Sequence, residues 1–341
     1  MWSYLGKRLL ISLGTVLGIV ILVFFIVRVL PGDAAAVRAG PYANEEKIEQ
    51  IRDRYGLSDP IPEQFTRYVG NVLTGDLGTS IRTEASVTDE LLDRLPASLE
   101  LAFYSVLLAA AIGVPFGIVA AANQGSWIDK AARVFAVFGS SMALFWLGLL
   151  LIYFLFFRLG WFPGPIDRLS VTTHPPLEIT GFYTIDAALT GRFHVMLEAF
   201  RYLALPAFTL AFVLAAPILK MGRAAMIDTL SADHVRTARA VGVPWRKILL
   251  RDGFRNALIP VATAIGIVFG YMLGGNIIVE FLFAWPGVGR YAYTAIQNND
   301  LEALQGFVVM VGVLYVILNV IIDLFYAWID PRIRLGQKVA A

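Results

Sequence analysis

Six stretches of the chain, 9–27, 101–122, 134–157, 202–219, 257–279 and 303–322, contain no charged residue, and each is 18 to 24 residues long. About 20 residues in α-helical form cross a hydrocarbon core of roughly 30 Å. The pattern therefore predicts six transmembrane helices. Because a helix satisfies its own backbone polar groups in lipid, the expected fold class is all-α integral membrane. Pro115, Pro206, Pro217 and Pro260 lie in or at the edges of these runs, where neighbouring helices or water can re-satisfy the freed carbonyls. The longer connections carry their own patterns. "NEEKIEQIRDRYGL" in the first one places Ile48, Ile51 and Tyr55 at helical spacing. Between the fourth and fifth runs, "DHVRTARAVG" (233–242) predicts a short polar helix. Ser231 is its expected N-cap, Asp233 sits in the first turn, and Gly242 with Pro244 ends it after about three turns. Val235, Ala238 and Val241 form a short apolar stripe on this helix, with Asp233, Arg236 and Arg239 on the neighbouring face.

Composition agrees with the pattern. Only 16% of the residues are charged and the mean hydropathy is +0.67, whereas charged residues make up about a quarter of a soluble domain. The absence of cysteine excludes disulfides, thiol nucleophiles and cysteine-based metal sites. A net charge of +2 gives no reason to expect nucleic acid. The distribution of charge says more than its sum. Segments 1–8, 123–133, 220–256 and 329–341 carry net charges of +2, +1, +5 and +2, while 31–96, 159–201 and 280–302 carry −5, −1 and −2. Alternation of this kind places the basic segments, and both termini, in the cytoplasm. The N-terminus also offers a basic start, an apolar run and "DAAAV", as a signal peptide would. Its apolar run is longer than the usual 7–15 residues of such a peptide, and the expectation is that it stays as a span.

Candidate chemistry is sparse. "PGD" (31–33) and "GDLGTS" (75–80) read as turns. The second lacks the G-x-x-x-x-G-K-[ST] spacing of a phosphate cradle. His174 and His194 lie twenty residues apart with no i, i+4 partner, and read as surface histidines before a zinc or nickel site. No Walker A sequence and no Ser/His/Asp arrangement occurs. Polar groups within the spans are few: Ser140, Ser141, Tyr271, Asn276 and Asn319 are the candidates for lining a path. Asp323, at i, i+4 from Asn319, lies near the inner end of the last run. Gly266, Gly270 and Gly274 repeat every four residues, a face that permits close helix approach.

"DHVRTARAVG" followed by "FRNALIPV" resembles the coupling segment of binding-protein-dependent ABC importer permeases, most closely the dipeptide, oligopeptide and nickel branch. "PGD", "GDLGTS", "FAWPGVGR" (283–290) and "DPRIR" (330–334) are further marks of that branch, spread along the whole chain. The long second outer loop is most similar to the dipeptide permease. The general signature begins Glu-Ala-Ala, six residues before a Gly, where this chain has Arg236, Thr237 and Ala238 before Gly242. His234 stands where the branch usually has Tyr, and Val243 follows the glycine.

The resemblance implies a type I ABC importer permease fold with six transmembrane helices and a cytoplasmic coupling helix. It divides the chain into residues 1–95, the first helix and external loop; 96–330, a permease core; and 331–341, a cytoplasmic tail. Asp233, His234, Arg236, Thr237, Ala238, Arg239 and Gly242 would make the ATPase-coupling surface. The implied partners are a homologous second permease, two ATPase subunits, an extracytoplasmic substrate-binding protein and the lipid bilayer of a bacterial or archaeal plasma membrane. The chain would hold no metal or cofactor and no catalytic site, ATP and Mg being bound by the ATPases. The expected cargo is dipeptides or short oligopeptides, with nickel chelates and oligosaccharides as alternatives within the branch. An ion-gradient-driven transporter is the rival class, although such transporters keep ionisable residues in their spans. A non-transporting membrane scaffold is the other.

Overall fold

The computed structural model of the chain describes residues 2–29, 34–39, 43–54 and 56–329. "PGD" at 31–33, Tyr55, "DPRIR" and the tail lie outside the described residues, as do the surroundings of Gly274 and the side chain of Asp323. The order of elements is α1 (Trp2–Val29), α2 (Ala34–Ala39), α3 (Glu45–Arg54), α4 (Ile61–Thr74) and α5 (Val87–Ala122). Then come α6 (Trp127–Ser141), α7 (Leu144–Leu151), α8 (Tyr183–Leu189), α9 (Phe193–Ser231) and α10 (Asp233–Ala240). The series ends with α11 (Trp245–Lys247), α12 (Arg255–Gly275), α13 (Ile277–Leu282), α14 (Val288–Gln297) and α15 (Leu301–Ile329). Two π-helical stretches, Ile152–Arg158 and Ile248–Phe254, continue α7 and join α11 to α12.

Among the described residues four single helices are long and apolar enough to cross a membrane: Val87–Ala122, Phe193–Ser231, Trp245–Met272 and Leu301–Ile322. Pro115, Pro206, Pro217 and Pro260 all sit inside continuous helices. In α1 the apolar stretch is Leu10–Ile26. The run 134–157 departs from the expected straight span. It is two helices, Trp127–Ser141 and Leu144–Arg158, bent by 102°. Met142 and Ala143 at the elbow adopt extended backbone angles. Just before it, the Ser140 hydroxyl donates to the Ala136 carbonyl at 2.8 Å, a back-bond that favours bending. Neither Met nor Ala is a helix breaker, so the apolar pattern passes through the elbow unmarked. The run 257–279 is likewise interrupted, at Asn276 between α12 and α13.

The chain forms two compact units, one from residues 1–95 and 287–323, the other built on Pro96–Pro286. In the first, Val20 and Val23 of α1 pack with Val309 of α15, flanked by Tyr68, Val69 and Val72 of α4. Gly312 lets α15 approach α1, since a Cβ there would lie 2.8 Å from Ile19 Cδ1. "GDLGTS" is a turn. Gly75 and Gly78 take φ of +84° and +96°, and the Asp76 carboxylate accepts the Gly78 amide at 2.9 Å. Ser80 Oγ then donates to the buried Asp300 carboxylate at 2.6 Å, while the other oxygen of Asp300 accepts the Ala303 amide in the first turn of α15.

The second unit is organised around α9, which at 39 residues is about 58 Å long. It packs on α6, α7, α8, α10, α12 and α13. It also crosses α5 closely. A Cβ on Gly113 would lie 2.8 Å from the Ala215 carbonyl oxygen, and one on Gly117 3.0 Å from that of Leu219. Both obstacles are backbone, so no rotamer change relieves them. Gly113→Val is expected to destabilise the protein by about 1–3 kcal/mol, as overpacking does. Gly14→Val, at an α1 position with nothing within 4 Å, serves as the control. Equal thermal stability of the two purified variants would remove the α5–α9 contact as a determinant of the fold.

Candidate functional site

The polar helix is present but shorter than expected. It spans Asp233–Ala240, about two turns, and Ser231 does not cap it. Ser231 is the last residue of α9, and its hydroxyl donates to the Asp228 carbonyl at 2.9 Å. Ala232, in extended conformation, precedes α10 without a side-chain cap. The C-terminus closes as a Schellman turn. The Gly242 amide donates to the Arg239 carbonyl and the Val243 amide to the Ala238 carbonyl, each at 3.0 Å. Gly242 takes φ of +80°, and a Cβ added there would meet nothing within 4 Å. Within this chain, then, glycine is required by backbone conformation and not by a close neighbour.

One side of α10 is anchored. Val235 is fully buried, Ala238 is half-buried, and the helix packs on α9 and the 248–254 stretch. Val241, the third residue of the expected stripe, is instead 73% exposed. The Arg239 guanidinium lies 4.2 Å from the Trp245 ring centroid, tying the helix to the segment that follows it. Asp233 and Arg236 pair at 3.6 Å on the outside. Asp233, His234, Arg236, Thr237, Arg239 and Gly242 are all exposed. The result is a short helix held on one face and presenting a polar face with two arginines.

The path candidates have differing environments. Ser140 and Ser141 are exposed at the end of α6, and Ser140 Oγ accepts a hydrogen bond from Lys220 at 3.0 Å. Tyr271 is 74% exposed on α12. Asn276, at the break after α12, is buried, and neither of its amide atoms has a hydrogen-bond partner. Among the described residues no hydrogen bond links any two of these four. Asn319, in the other unit, donates to the Tyr315 carbonyl of its own helix at 2.9 Å. Asn276 is thus the one candidate with unspent hydrogen-bonding capacity in a buried place.

Several polar residues escaped the sequence reading because they flank the apolar runs and look like ordinary interfacial charges. Glu100 and Arg168, 1% and 5% exposed, form a close ion pair. Glu100 also accepts from the Thr184 amide and hydroxyl at 2.9 and 2.6 Å. Arg168 donates to the Gly181 carbonyl at 2.8 Å and stacks 3.5 Å from the Tyr183 ring centroid. Nearby, Ser98 donates to Glu280 at 2.6 Å and Trp285 Nε1 to the Ala97 carbonyl at 2.8 Å. Asp186 accepts from Thr180 Oγ1 and from the amides of Ile179, Thr180 and Gly181. Burial pushes its carboxyl pKa upward, but the Thr180 side chain and these amides outweigh burial and hold it below the usual value. On the opposite flank of the unit, Arg223 of α9 donates two hydrogen bonds to Asp129 of α6, at 2.6 and 3.0 Å. His174 meets Arg192 only through its backbone carbonyl. Among the described residues no group of three or more His, Asp or Glu side chains is placed to hold a metal.

Long apolar helices, a protruding polar helix and charges paired at the ends of spans define a multi-pass membrane subunit. Residues 113–335 match the family described as "Binding-protein-dependent transport system inner membrane component", and residues 1–102 match its N-terminal counterpart. The chain is 44% identical over 335 residues to the probable D,D-dipeptide transport system permease protein DdpB of Escherichia coli (strain K12), covering 98% of each chain. It is 35% identical over 340 residues to the dipeptide transport system permease protein DppB of the same organism, covering 98% of this chain and 99% of that one. The glutathione transport system permease protein GsiC of Escherichia coli O6:H1 is 36% identical over 334 residues, with 98% and 99% covered. The chain belongs to the binding-protein-dependent transport system inner membrane components. It is a permease subunit of an ABC importer.

The buried pair yields a direct test. Arg168→Met leaves the Glu100 carboxylate without its cation and is expected to cost about 3–5 kcal/mol. Adding Glu100→Gln should recover part of that loss. If melting of the purified protein shows the double variant to be less stable than Arg168→Met alone, the pairing is not what Arg168 contributes.

Proposed function

We propose that this permease imports dipeptides or short oligopeptides, forming half of a translocation path whose other half is a homologous permease. Six spans make up the membrane part: α1, α5, the bent α6–α7 pair, α9, the helix from Trp245 through α12, and α15. Both termini face the cytoplasm. In this reading 1–95 is the entry helix with its external loop, 96–330 the permease core and 331–341 the inner tail. Two ATPase subunits bind ATP and Mg, an extracytoplasmic binding protein delivers cargo, and the chain itself performs no catalysis.

One observation carries the coupling role: α10 is fixed on one face and exposed on the other, directly after the longest helix. Asp233, His234, Arg236, Thr237, Ala238, Arg239 and Gly242 form the surface that seats on an ATPase. A rigid stop at Gly242 and a tether from Arg239 to Trp245 transmit force better than a frayed end would. Substrate contacts fall to Ser140, Ser141, Tyr271, Asn276 and Asn319. Hydroxyl and amide groups of this kind accept a zwitterion without discriminating side chains, which leaves selectivity to the binding protein. The peptide assignment is supported by the relatives named for dipeptide transport, and the glutathione relative also handles a peptide by its name.

Orientation is tested with single cysteines, since the chain has none of its own. A cysteine at position 238 should be silent to an impermeant thiol reagent applied to intact cells, and one at position 177 should label. The reverse pattern sinks the orientation. Coupling and cargo are read together in the reconstituted complex with its binding protein. Dipeptides should stimulate ATPase activity and enter vesicles, and nickel chelates or cello-oligosaccharides doing so in their place would overturn the cargo assignment. The change Arg236→Glu with Arg239→Glu should leave insertion intact but cut uptake at least tenfold. Two changes are made together because each exposed contact is worth under about 1 kcal/mol. Unaltered uptake at matched expression would reduce α10 to a surface feature.

A further inference from the structure

We infer that the outward face of α6 is a binding site for one anionic phospholipid of the cytoplasmic leaflet. Lys130, Arg133, Val134, Val137, Phe138 and Ser141 line a groove of about 530 Å³ on that face. The order of chemistry along it is that of a phospholipid. Two basic side chains stand at the start, three apolar ones follow, and a hydroxyl closes it beside the elbow. From 130 to 141 the helix rises about 16 Å, close to half of a roughly 30 Å hydrocarbon core. Trp127, 76% exposed in the first turn, sits where an interfacial aromatic belongs.

The charge balance identifies the occupant. Asp129, the acid nearest the mouth, is buried and already holds Arg223 through two hydrogen bonds. Arg133 pairs more loosely with the same carboxylate, at 3.7 Å, and Lys130 has no ion-pair partner among the described residues. Lys220 lies apart from these two, its ammonium donating to Ser140 at the elbow end of the groove. Three cations, Lys130, Arg133 and Arg223, thus stand around one carboxylate at the mouth, and beyond them Val134, Val137 and Phe138 are all more than half exposed. A phosphate bridging Lys130 and Arg133, with one acyl chain along Val134, Val137 and Phe138, satisfies both needs at once. The opposite face of α6 is taken: Ala132, Ala136 and Gly139 are buried, the two alanines in a core with Leu219 of α9.

This inference rests on the proposed orientation only for the leaflet named, and the following test reads the lipid without reference to sidedness. The complete complex, purified in detergent, is titrated with phosphatidylglycerol or phosphatidylcholine of equal chain length and examined by native mass spectrometry. Two basic residues each worth about fivefold near a membrane surface predict a preference of roughly 25-fold for the anionic lipid. Lys130→Gln with Arg133→Gln should abolish that preference while the melting temperature stays within a few degrees of wild type. A photo-reactive phenylalanine at Val137, in nanodiscs containing phosphatidylglycerol, should gain the mass of the lipid. Equal binding of both lipids, a preference untouched by the double change, or cross-linking of position 137 to another polypeptide would each overturn the assignment.

Discussion

Backbone contact between α5 and α9 is the constraint on which the second unit depends. Lipid offers helices no hydrophobic reason to associate, so close van der Waals approach and polar contacts must hold them. Gly113 and Gly117 provide that approach by removing the side chains that would meet the Ala215 and Leu219 carbonyls. Once α9 is seated on α5, its remaining faces are free to receive α6, α7, α8, α12 and α13. Gly139 of α6 and Gly148 of α7 repeat the device, the first against Phe212 and Ala216 of α9 and the second against Leu282 and Phe283.

Charges complete what the glycines begin. Glu100 with Arg168 ties α5 to the long connection of residues 159–182, and Asp129 with Arg223 ties α6 to the far end of α9. Each pair sits just beyond an apolar run, where the desolvation cost is smaller than in the hydrocarbon centre and hydrogen-bonding partners are at hand. Thr184, Gly181 and Tyr183 supply those partners for Glu100 and Arg168, and the Gly125 amide helps at Asp129. The glycines set how closely the helices lie, and the pairs set where along their lengths they meet.

Much of this was legible in the sequence, for identifiable reasons. Charge-free runs mark apolar helices because burying a charge in lipid is costly, and α5, α9, α12 and α15 appear where such runs lie. Gly242 marked the end of α10 because a Schellman turn needs φ > 0. The elbow at Met142–Ala143 was hidden because its residues are not helix breakers, and the Ser140 back-bond beside it also occurs at Ser105 and Thr209 inside unbroken helices. Ser231 misled because a serine before a helix resembles a cap whether it starts that helix or ends the previous one. Gly113 and Gly117, which make the close α5–α9 crossing, stand four residues apart in α5. A four-residue glycine spacing announces that close approach is possible and does not name the partner helix. Glu100, Arg168, Asp129 and Arg223 were counted for their sign, and their partners, 68 and 94 residues apart, are visible only in three dimensions.

The unbroken course of α9 makes it a lever whose fulcrum is the glycine crossing. From the Ala215 contact, 22 residues run back to Phe193 and 16 run on to Ser231, arms of about 33 and 24 Å. For a rigid helix, a tilt at the α10 end would reappear at the Phe193 end in the opposite direction and enlarged by the ratio of the arms. Pro206 stands within the long arm and Pro217 at the fulcrum. Both remove a backbone hydrogen bond, so flexing at those two places would absorb part of that tilt before it reached Phe193, while the arm from 218 to 231 that carries α10 holds no proline.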